Sequence, residues 1–365
     1  MSDFVVSKET LCVVLGKMLS ANIVGADYRA TELHGGTLGD VRLVEGIAET
    51  TNGDKLPYKV VLKTQQKWER PADPDSWRRE HDLYVSDLGA VLTEHFRWPG
   101  CYHTEMSENE IQIWMEYARG VSGEDLTIEM LEQAAFELGR FQGKIYSQPE
   151  LVKALSNFGN TGYLKGDYKQ WHTQKYSYEE LIVEDCPLED EQKEAIKNGT
   201  IQLASGKSFE YSYLRSDECG IPQYLKQMIM GIDDTMDTLF NEISKLPVVL
   251  CHRDFWIENI IYADGKIRLI DWDTAGWGYL GEDLASLISD DIDYDNFEEY
   301  CQKLIPAYYK GIAEHMDISN ITDKFIREMI LVKFGYRLVQ GFMFADDDEE
   351  REEAVNALQK IFEMI

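Results

Sequence analysis

The residues best suited to chemistry are His252-Arg253-Asp254-Phe-Trp-Ile-Glu-Asn259, followed by Ile270-Asp271-Trp272-Asp273. Phosphoryl transfer to a hydroxyl needs a carboxylate beside the attacking oxygen and a metal clamp on the phosphates. An Asp and an Asn one turn of loop apart can supply both functions. A second Asp, delivered from the end of a nearby hairpin, adds the carboxylate oxygen that hard Mg2+ prefers. The His-x-Asp-x-x-x-x-Asn pattern alone is loosely specific. A hydrophobic run, Val248-Val-Leu-Cys251, stands before it, and Ile-Asp-Trp-Asp places Asp271 twelve residues after Asn259. That context makes coincidence a poor explanation.

Competing chemistries lack their signatures. The chain has no G-x-x-x-x-G-K-[ST] loop, no H-E-x-x-H and no G-x-S-x-G elbow. His252 and Asp254 could in isolation serve a metallohydrolase, but the other histidines (His34, His81, His95, His103, His172 and His315) are dispersed. The net charge of −30 repels phosphate backbones and anionic membranes, so the sequence predicts no nucleic-acid and no membrane partner. An acidic surface attracts a cationic substrate, although solubility alone explains it more simply. The cysteines (Cys12, Cys101, Cys186, Cys219, Cys251 and Cys301) are far apart, with no CxxC pair, so neither a disulfide framework nor a zinc site is expected. Residues 1–10 lack a basic region before an apolar core. The apolar stretch from Leu11 to Val24 is too short to span a bilayer and contains Lys17. The expectation is a cytoplasmic protein.

The elements that must position these residues can be read from periodicity. Residues 7–20 carry Leu11, Val14, Leu15 and Leu19 at helical spacing. Strand patterns follow from Thr31, over 41–48 and over 58–63, with a turn at Thr51-Asn52-Gly53-Asp54. Trp77–Leu88 reads as a helix, 111–117 as another strand, and 127–147 as a long helix. The stretch 152–223 is polar, rich in Tyr and Trp, and the least readable; 224–244 is helical again. Val248–Cys251 and a hairpin around Ala263-Asp264-Gly265-Lys266 flank the His252–Asn259 loop. From Asp283 on the chain reads as helices, and the acidic run 346–353 as a solvated loop or helix start. The predicted fold class is α+β: an antiparallel sheet lobe with one key helix over 1–117, and a larger, mainly helical lobe over 118–365 with a variable segment at about 152–245.

From about Leu33 to Leu287, and most sharply from Leu250 to Leu287, the sequence resembles the aminoglycoside phosphotransferase and choline kinase superfamily, whose bilobal fold is shared with protein kinases. The resemblance implies Asp254 as catalytic base, Asn259 and Asp271 as metal ligands, and His252 as organiser of the loop. Asp283 matches the family's Asp-Leu-Ala element, and a helix N-cap is the simpler role. The first lobe tests the resemblance independently, because a kinase holds the phosphates with a Lys, fixes it with a helical carboxylate and covers them with a glycine turn. Lys63 closes Val60-Val-Leu-Lys63 where that Lys is expected. Glu80 is its best partner, with Glu69 and Asp82 as alternatives. Gly36-Thr37-Leu38-Gly39 is the candidate phosphate-covering turn. Glu116 and Tyr117 mark the hinge, whose backbone would hold the purine.

The sequence departs from the pattern at Arg253, where small-molecule kinases often have Gly and protein kinases have Arg. Only eleven residues separate Asp271 from Asp283, and neither D-F-G nor A-P-E occurs, which is too short for a protein-presenting activation segment. Arg253 is thus structural or faces substrate. Trp256, Trp272, Trp277 and Tyr279 could stack on a sugar or amine, with core packing the commoner role. The resulting expectation is transfer of the γ-phosphoryl group of ATP or GTP, with Mg2+, onto a small hydroxylated acceptor. The alternative is a non-catalytic, nucleotide-binding pseudokinase or interaction module of the same fold. Neither the acceptor nor the oligomeric state can be read from the chain.

Overall fold

The computed structural model describes residues 5–33, 39–68, 75–148, 150, 158–166, 220–290, 296–322, 324–333, 345 and 347–364. The architecture is α+β, with a curled antiparallel sheet near the N-terminus and a mainly helical remainder, as the sequence implied. The chain divides into two compact units. One comprises Met1–Gly159, His252–Trp277 and Ala307–Met316; the other comprises Asn160–Cys251, Gly278–Pro306 and Asp317–Ile365.

In the first unit, α1 (Lys8–Leu19) is opened by Ser7, whose hydroxyl accepts from the Thr10 N–H, and stopped by Ser20 in the left-handed region (φ 51°). The sheet contains β1 (Ile23–Ala26), β2 (Arg29–Glu32), β3 (Gly39–Thr50) and β4 (Lys55–Gln66). After β5 (Phe96–Arg97), which belongs elsewhere, come its last strands, β6 (Cys101–Met106) and β7 (Glu110–Glu116). The order is β1-β3-β4-β7-β6, with β2 also paired to β3. The β3–β4 hairpin turns where expected: Gly53 takes φ 83°, and Thr50 Oγ1 accepts the N–H groups of Asn52 and Asp54 at 3.3 and 3.1 Å. Period-two alternation then sorts the side chains. Val44, Ala48, Tyr58, Val60, Leu62 and Trp114 form a core with Leu11, Val14 and Leu15 of α1. Residues of the opposite parity, among them Val61, Ile111, Ile113 and Met115, face the other way and pack with Trp77.

Some local readings are corrected. Strands β1 and β6 were not anticipated, because both are short and lack clean alternation. The expected helix Trp77–Leu88 is broken into a 3-10 turn (Ser76–Arg78), α2 (Arg79–Tyr84) and a second 3-10 turn (Asp87–Ala90). Ser86 causes the break: its hydroxyl donates to Leu83 O at 2.7 Å and accepts from the Leu88 N–H at 3.2 Å, offering the backbone an alternative to helix.

The long helix α3 (Ile128–Tyr146) matches expectation and lies close against residues 308–312 of the same unit. A Cβ at Gly139 would stand 2.2 Å from Tyr308 O, so the contact needs glycine. The rest of this unit is the loop after residue 252 with a small sheet. There β9 (Ile260–Ala263) pairs antiparallel with β10 (Lys266–Leu269), and β10 runs parallel to β5. Asp264 and Gly265 make the hairpin turn with φ 51° and 74°, the conformation a two-residue hairpin favours.

The second unit holds α4 (Gln223–Ile243), β8 (Val248–Cys251), α5 (Glu282–Ser289) and α7 (Asp348–Met364); α6 (Phe297–Ile312) begins there and ends in the first unit. Asp283 is not the N-cap of α5. That place is taken by Gly281 at φ 95°, and Asp283 lies fully buried in the first turn. The acidic run starts α7, with Asp347 Oδ1 accepting the N–H groups of Glu349 and Glu350 at 2.9 and 3.0 Å. No helix among the described residues is long and apolar enough to cross a membrane.

Candidate active site

Every described candidate site residue belongs to the first unit. Lys63, near the end of β4, places Nζ 2.7 Å from Glu80 Oε2 and 2.6 Å from Asp271 Oδ1. Glu80 is the partner chosen by the fold. Asp82 pairs instead with Arg78 at 2.8 Å, and Glu69 lies outside the described residues. Burial alone would lower the Lys63 pKa, but the negative charges of Glu80, Asp271 and Asp273 outweigh it and raise the pKa well above the ordinary lysine range. Burial pushes the Glu80 carboxyl up, against the opposing pull of Lys63 and of the Trp272 backbone N–H. The site thus holds a protonated lysine between acidic groups.

The loop after β8 is shaped by backbone strain and side-chain bonds. Arg253 and Asp271 both occupy the left-handed region, with φ 70° and 62°, a conformation that non-glycine residues adopt at a cost. His252, buried, donates from Nε2 to Ile270 O at 2.9 Å, and Thr274 Oγ1 donates to His252 O at 2.7 Å. The backbone just before Asp254 is thereby tied to both sides of Asp271. Asn259 Nδ2 donates to Asp254 O and to Asp254 Oδ2, each at 2.8 Å. The carboxamide therefore fixes the carboxylate and keeps its own oxygen out of those bonds. The His252 ring also meets Trp272 edge-on at 4.7 Å, and Trp272 in turn contacts Trp98 at 5.5 Å, which contacts Tyr84 of α2 at 5.3 Å.

A cavity of about 530 Å³ brings these groups together. Its polar lining includes Lys63, Gln65, Glu80, Asp254, Glu258, Asn259, Asp271 and Asp273. Its apolar lining includes Leu33, Val41, Val61, Pro99, Met115, Ile261 and Ile270. Gly39, Glu116, Tyr117 and Trp256 also line it. Gly36, with Thr37 and Leu38 of its turn, lies outside the described residues. The volume and the combination of apolar walls with a few convergent polar groups suit a nucleotide-sized ligand. Asn259 and Asp271 offer an amide and a carboxylate oxygen, the donors that Mg2+ takes when phosphates complete its coordination. Among the described residues no group of three or more His, Cys, Asp or Glu side chains could hold a metal by itself.

Glu116 ends β7 with its N–H bonded to Gly100 O, and its carboxylate accepts from Arg97 Nη2 and Gly100 N at 2.9 Å each. The chain beyond it is fastened to β9 and to the His252–Asn259 loop. Val121 and Tyr262 exchange backbone bonds at 2.9 Å, and Ser122 Oγ donates to Glu258 O at 3.2 Å. Gly120 permits this approach, since a Cβ there would come 2.3 Å from Tyr262 O. The sequence reading gave Asp273 and Glu258 no role of their own and missed the apolar walls. The parity of Val41, Val61 and Lys63 on paired strands was the available signal for the walls. Trp272 and Trp277 are core, whereas Trp256 is half-buried at the cavity. Of the aromatics from Tyr163 to Tyr178, those beyond Tyr163 lie outside the described residues.

Known proteins share both the sequence pattern and the fold. Residues 67–315 match the phosphotransferase enzyme family, APH. Ethanolamine kinase 1 of Mus musculus is 25% identical over 138 residues, 34% of this chain and 35% of that protein. The N-acetylmuramate/N-acetylglucosamine kinase of Neisseria meningitidis serogroup B is 32% identical over 95 residues, 26% of this chain and 28% of that protein. The matches thus span about a third of the length of these curated relatives. The choline kinase of Cryptosporidium parvum Iowa II shares the fold with a TM-score of 0.50 at 15% identity, over 92% of this chain and 88% of that one. With 67–315 spanning more than half of its residues, the chain belongs to the phosphotransferase enzyme family.

Proposed function

We propose that this protein transfers the γ-phosphoryl group of ATP or GTP to a hydroxyl of a small molecule. The observation that carries this reading is the convergence of Lys63, Glu80, Asp254, Asn259 and Asp271 on one cavity with an apolar floor. Lys63, kept protonated by its acidic neighbours, grips the phosphates, and Glu80 keeps its ammonium in place. Asp254, fixed by Asn259, orients the acceptor hydroxyl and takes its proton as the oxygen attacks. Asn259 and Asp271 would hold Mg2+, which when bound neutralises charge on the phosphates. The walls from Leu33, Val41, Val61 and Ile261 shelter the purine beside the hinge at Glu116 and Tyr117.

In this reading residues 1–117 carry the nucleotide and 118–365 the catalytic loop and acceptor-binding residues, with specificity in 152–245. The acceptor class that best joins the observations is an amino alcohol or amino sugar. The relatives include an ethanolamine kinase, whose named substrate is a cationic amine that the net charge of −30 favours, and an N-acetyl amino sugar kinase, whose substrates are hydroxylated but not cationic. The protein acts in the cytoplasm in this reading.

A coupled ADP- and GDP-release screen over hydroxylated amines, sugars and antibiotics tests the proposal. The expected result is turnover that requires Mg2+ and is lost in Asp254→Ala and Asp271→Ala. Calorimetric binding of nucleotide with no turnover on any acceptor would instead establish a binding module. Turnover surviving Asp271→Ala would remove the metal assignment.

A further inference from the structure

Arg253 is the catalytic-loop residue that the phosphoryl-transfer scheme leaves without a task. Its side chain is buried, at 5% exposure, so it does not present its charge to solvent. Its backbone adopts φ 70°, and Asp254 follows directly. Arg253 is not among the residues lining the cavity, and its guanidinium donates from Nη2 to Trp277 O at 2.7 Å. On the way it lies flat over Gly276: a Cβ there would stand 2.5 Å from Nη1, 2.8 Å from Cζ and 3.0 Å from Nη2. Trp277 is itself anchored, its N–H donating to Phe158 O at 3.1 Å.

We infer that Arg253 is a positioning residue, a lock that clamps the Asp254 loop onto the backbone that follows Asp271. The inference rests on the phosphotransferase reading for its consequence, but the contact itself does not. Two strained residues, Arg253 and Asp271, have to be held in the left-handed region at once, and a bond from Arg253 to Trp277 closes a loop around both. Arginine suits the task because its planar fork can lie against glycine and reach the carbonyl while staying charged. Gly276 is glycine for the same reason, since the guanidinium fills the space a methyl group would take. The clash could be relieved cheaply if the side chain were free to swing. Burial and the bond to Trp277 O prevent that.

A thermal-unfolding cycle over Arg253→Gly, Gly276→Ala and the double variant tests the contact. Gly276→Ala is expected to lower Tm clearly in the parent and to have little effect beside Arg253→Gly, because the obstructing guanidinium is gone. An equal loss in both backgrounds would overturn the lock. Turnover of Mg-ATP, with the best acceptor or by basal hydrolysis, then separates positioning from mere support. Arg253→Gly should lower kcat about 10- to 100-fold, the scale of a misplaced catalytic group, with KM for ATP nearly unchanged. Arg253→Lys, able to reach the carbonyl but not to cover Gly276, should recover part of kcat. A lowered Tm with parental kcat, or a raised KM with parental kcat, would each overturn the positioning role. If the parent protein neither binds nor hydrolyses ATP, the phosphotransferase reading fails, while coupling in the thermal cycle still upholds or overturns the lock.

Discussion

The sheet that carries Lys63 and the loop that carries Asp254 solve the same problem in opposite ways. Strands β3, β4 and β7 form regular antiparallel ladders, so period alone decides that Val61 and Lys63 share a face while Val60 and Leu62 enter the core. The segment 252–277 has only short β pieces and depends on left-handed residues at 253 and 271 with bonds from His252, Arg253, Asn259 and Thr274. A ladder shares its positioning among many equivalent bonds. A stitched loop relies on a few, each specific to one side chain. The first should therefore tolerate substitution of any residue that keeps the alternation, and the second should not.

The sharpest separation is expected at Asp254. Asp254→Ala should cut turnover by about 10²–10⁴-fold, the usual contribution of a general base, with the fold kept by circular dichroism and only a small loss of Tm from the missing Asn259 bond. Next comes Lys63→Met, the exception on the tolerant side. It leaves Glu80, 2% exposed, as a buried carboxylate without its cation, and should cost about 3–5 kcal/mol in denaturant unfolding. Val61→Ala on the same strand is the control, expected to cost far less. His252→Ala removes the bond to Ile270 O and the ring contact with Trp272, and about 2–4 kcal/mol should be lost. Thr274→Val tests a single stitch and should cost about 1 kcal/mol, the scale of one lost buried hydrogen bond. A loop that ignored both changes would show that the comparison is wrong.

Titration sharpens it further. The Lys63 pKa is raised in the folded state, so the stability it contributes is fully present below the ordinary lysine value near about 10.4. That contribution is lost only as pH rises through the still higher folded value. Activity and Tm should consequently show no inflection from Lys63 between about pH 6 and 9, and a basic limb there that vanished in Lys63→Met would contradict the assignment.

Much of this site was legible in the sequence. His252, Asp254, Asn259 and Asp271 announce themselves by type and spacing, and the Gly265 turn explains how β9 and β10 return the chain to Asp271. Lys63 was legible because a strand rich in β-branched residues ends near it. Less legible were positions whose role depends on contacts distant in sequence. Glu80 led Glu69 and Asp82 as the partner of Lys63 by position alone; the 2.7 Å contact with Lys63 and the pairing of Arg78 with Asp82 single it out. The apolar floor was hidden because Leu33, Met115 and Ile270 come from separate elements with no common motif.

The sequence by itself narrowed the chemistry open to the site, because the identities and local spacing of acidic, amide and lysine side chains limit what they can do. It also determined the α+β class, since hydrophobic periods of two and of 3.6 cannot substitute for each other. Only the tertiary structure decided which carboxylate meets Lys63, that Arg253 turns inward to the Trp277 carbonyl, and that Gly276 must lack a side chain. Those outcomes depend on burial and on distances between residues far apart in the chain, which local pattern does not encode.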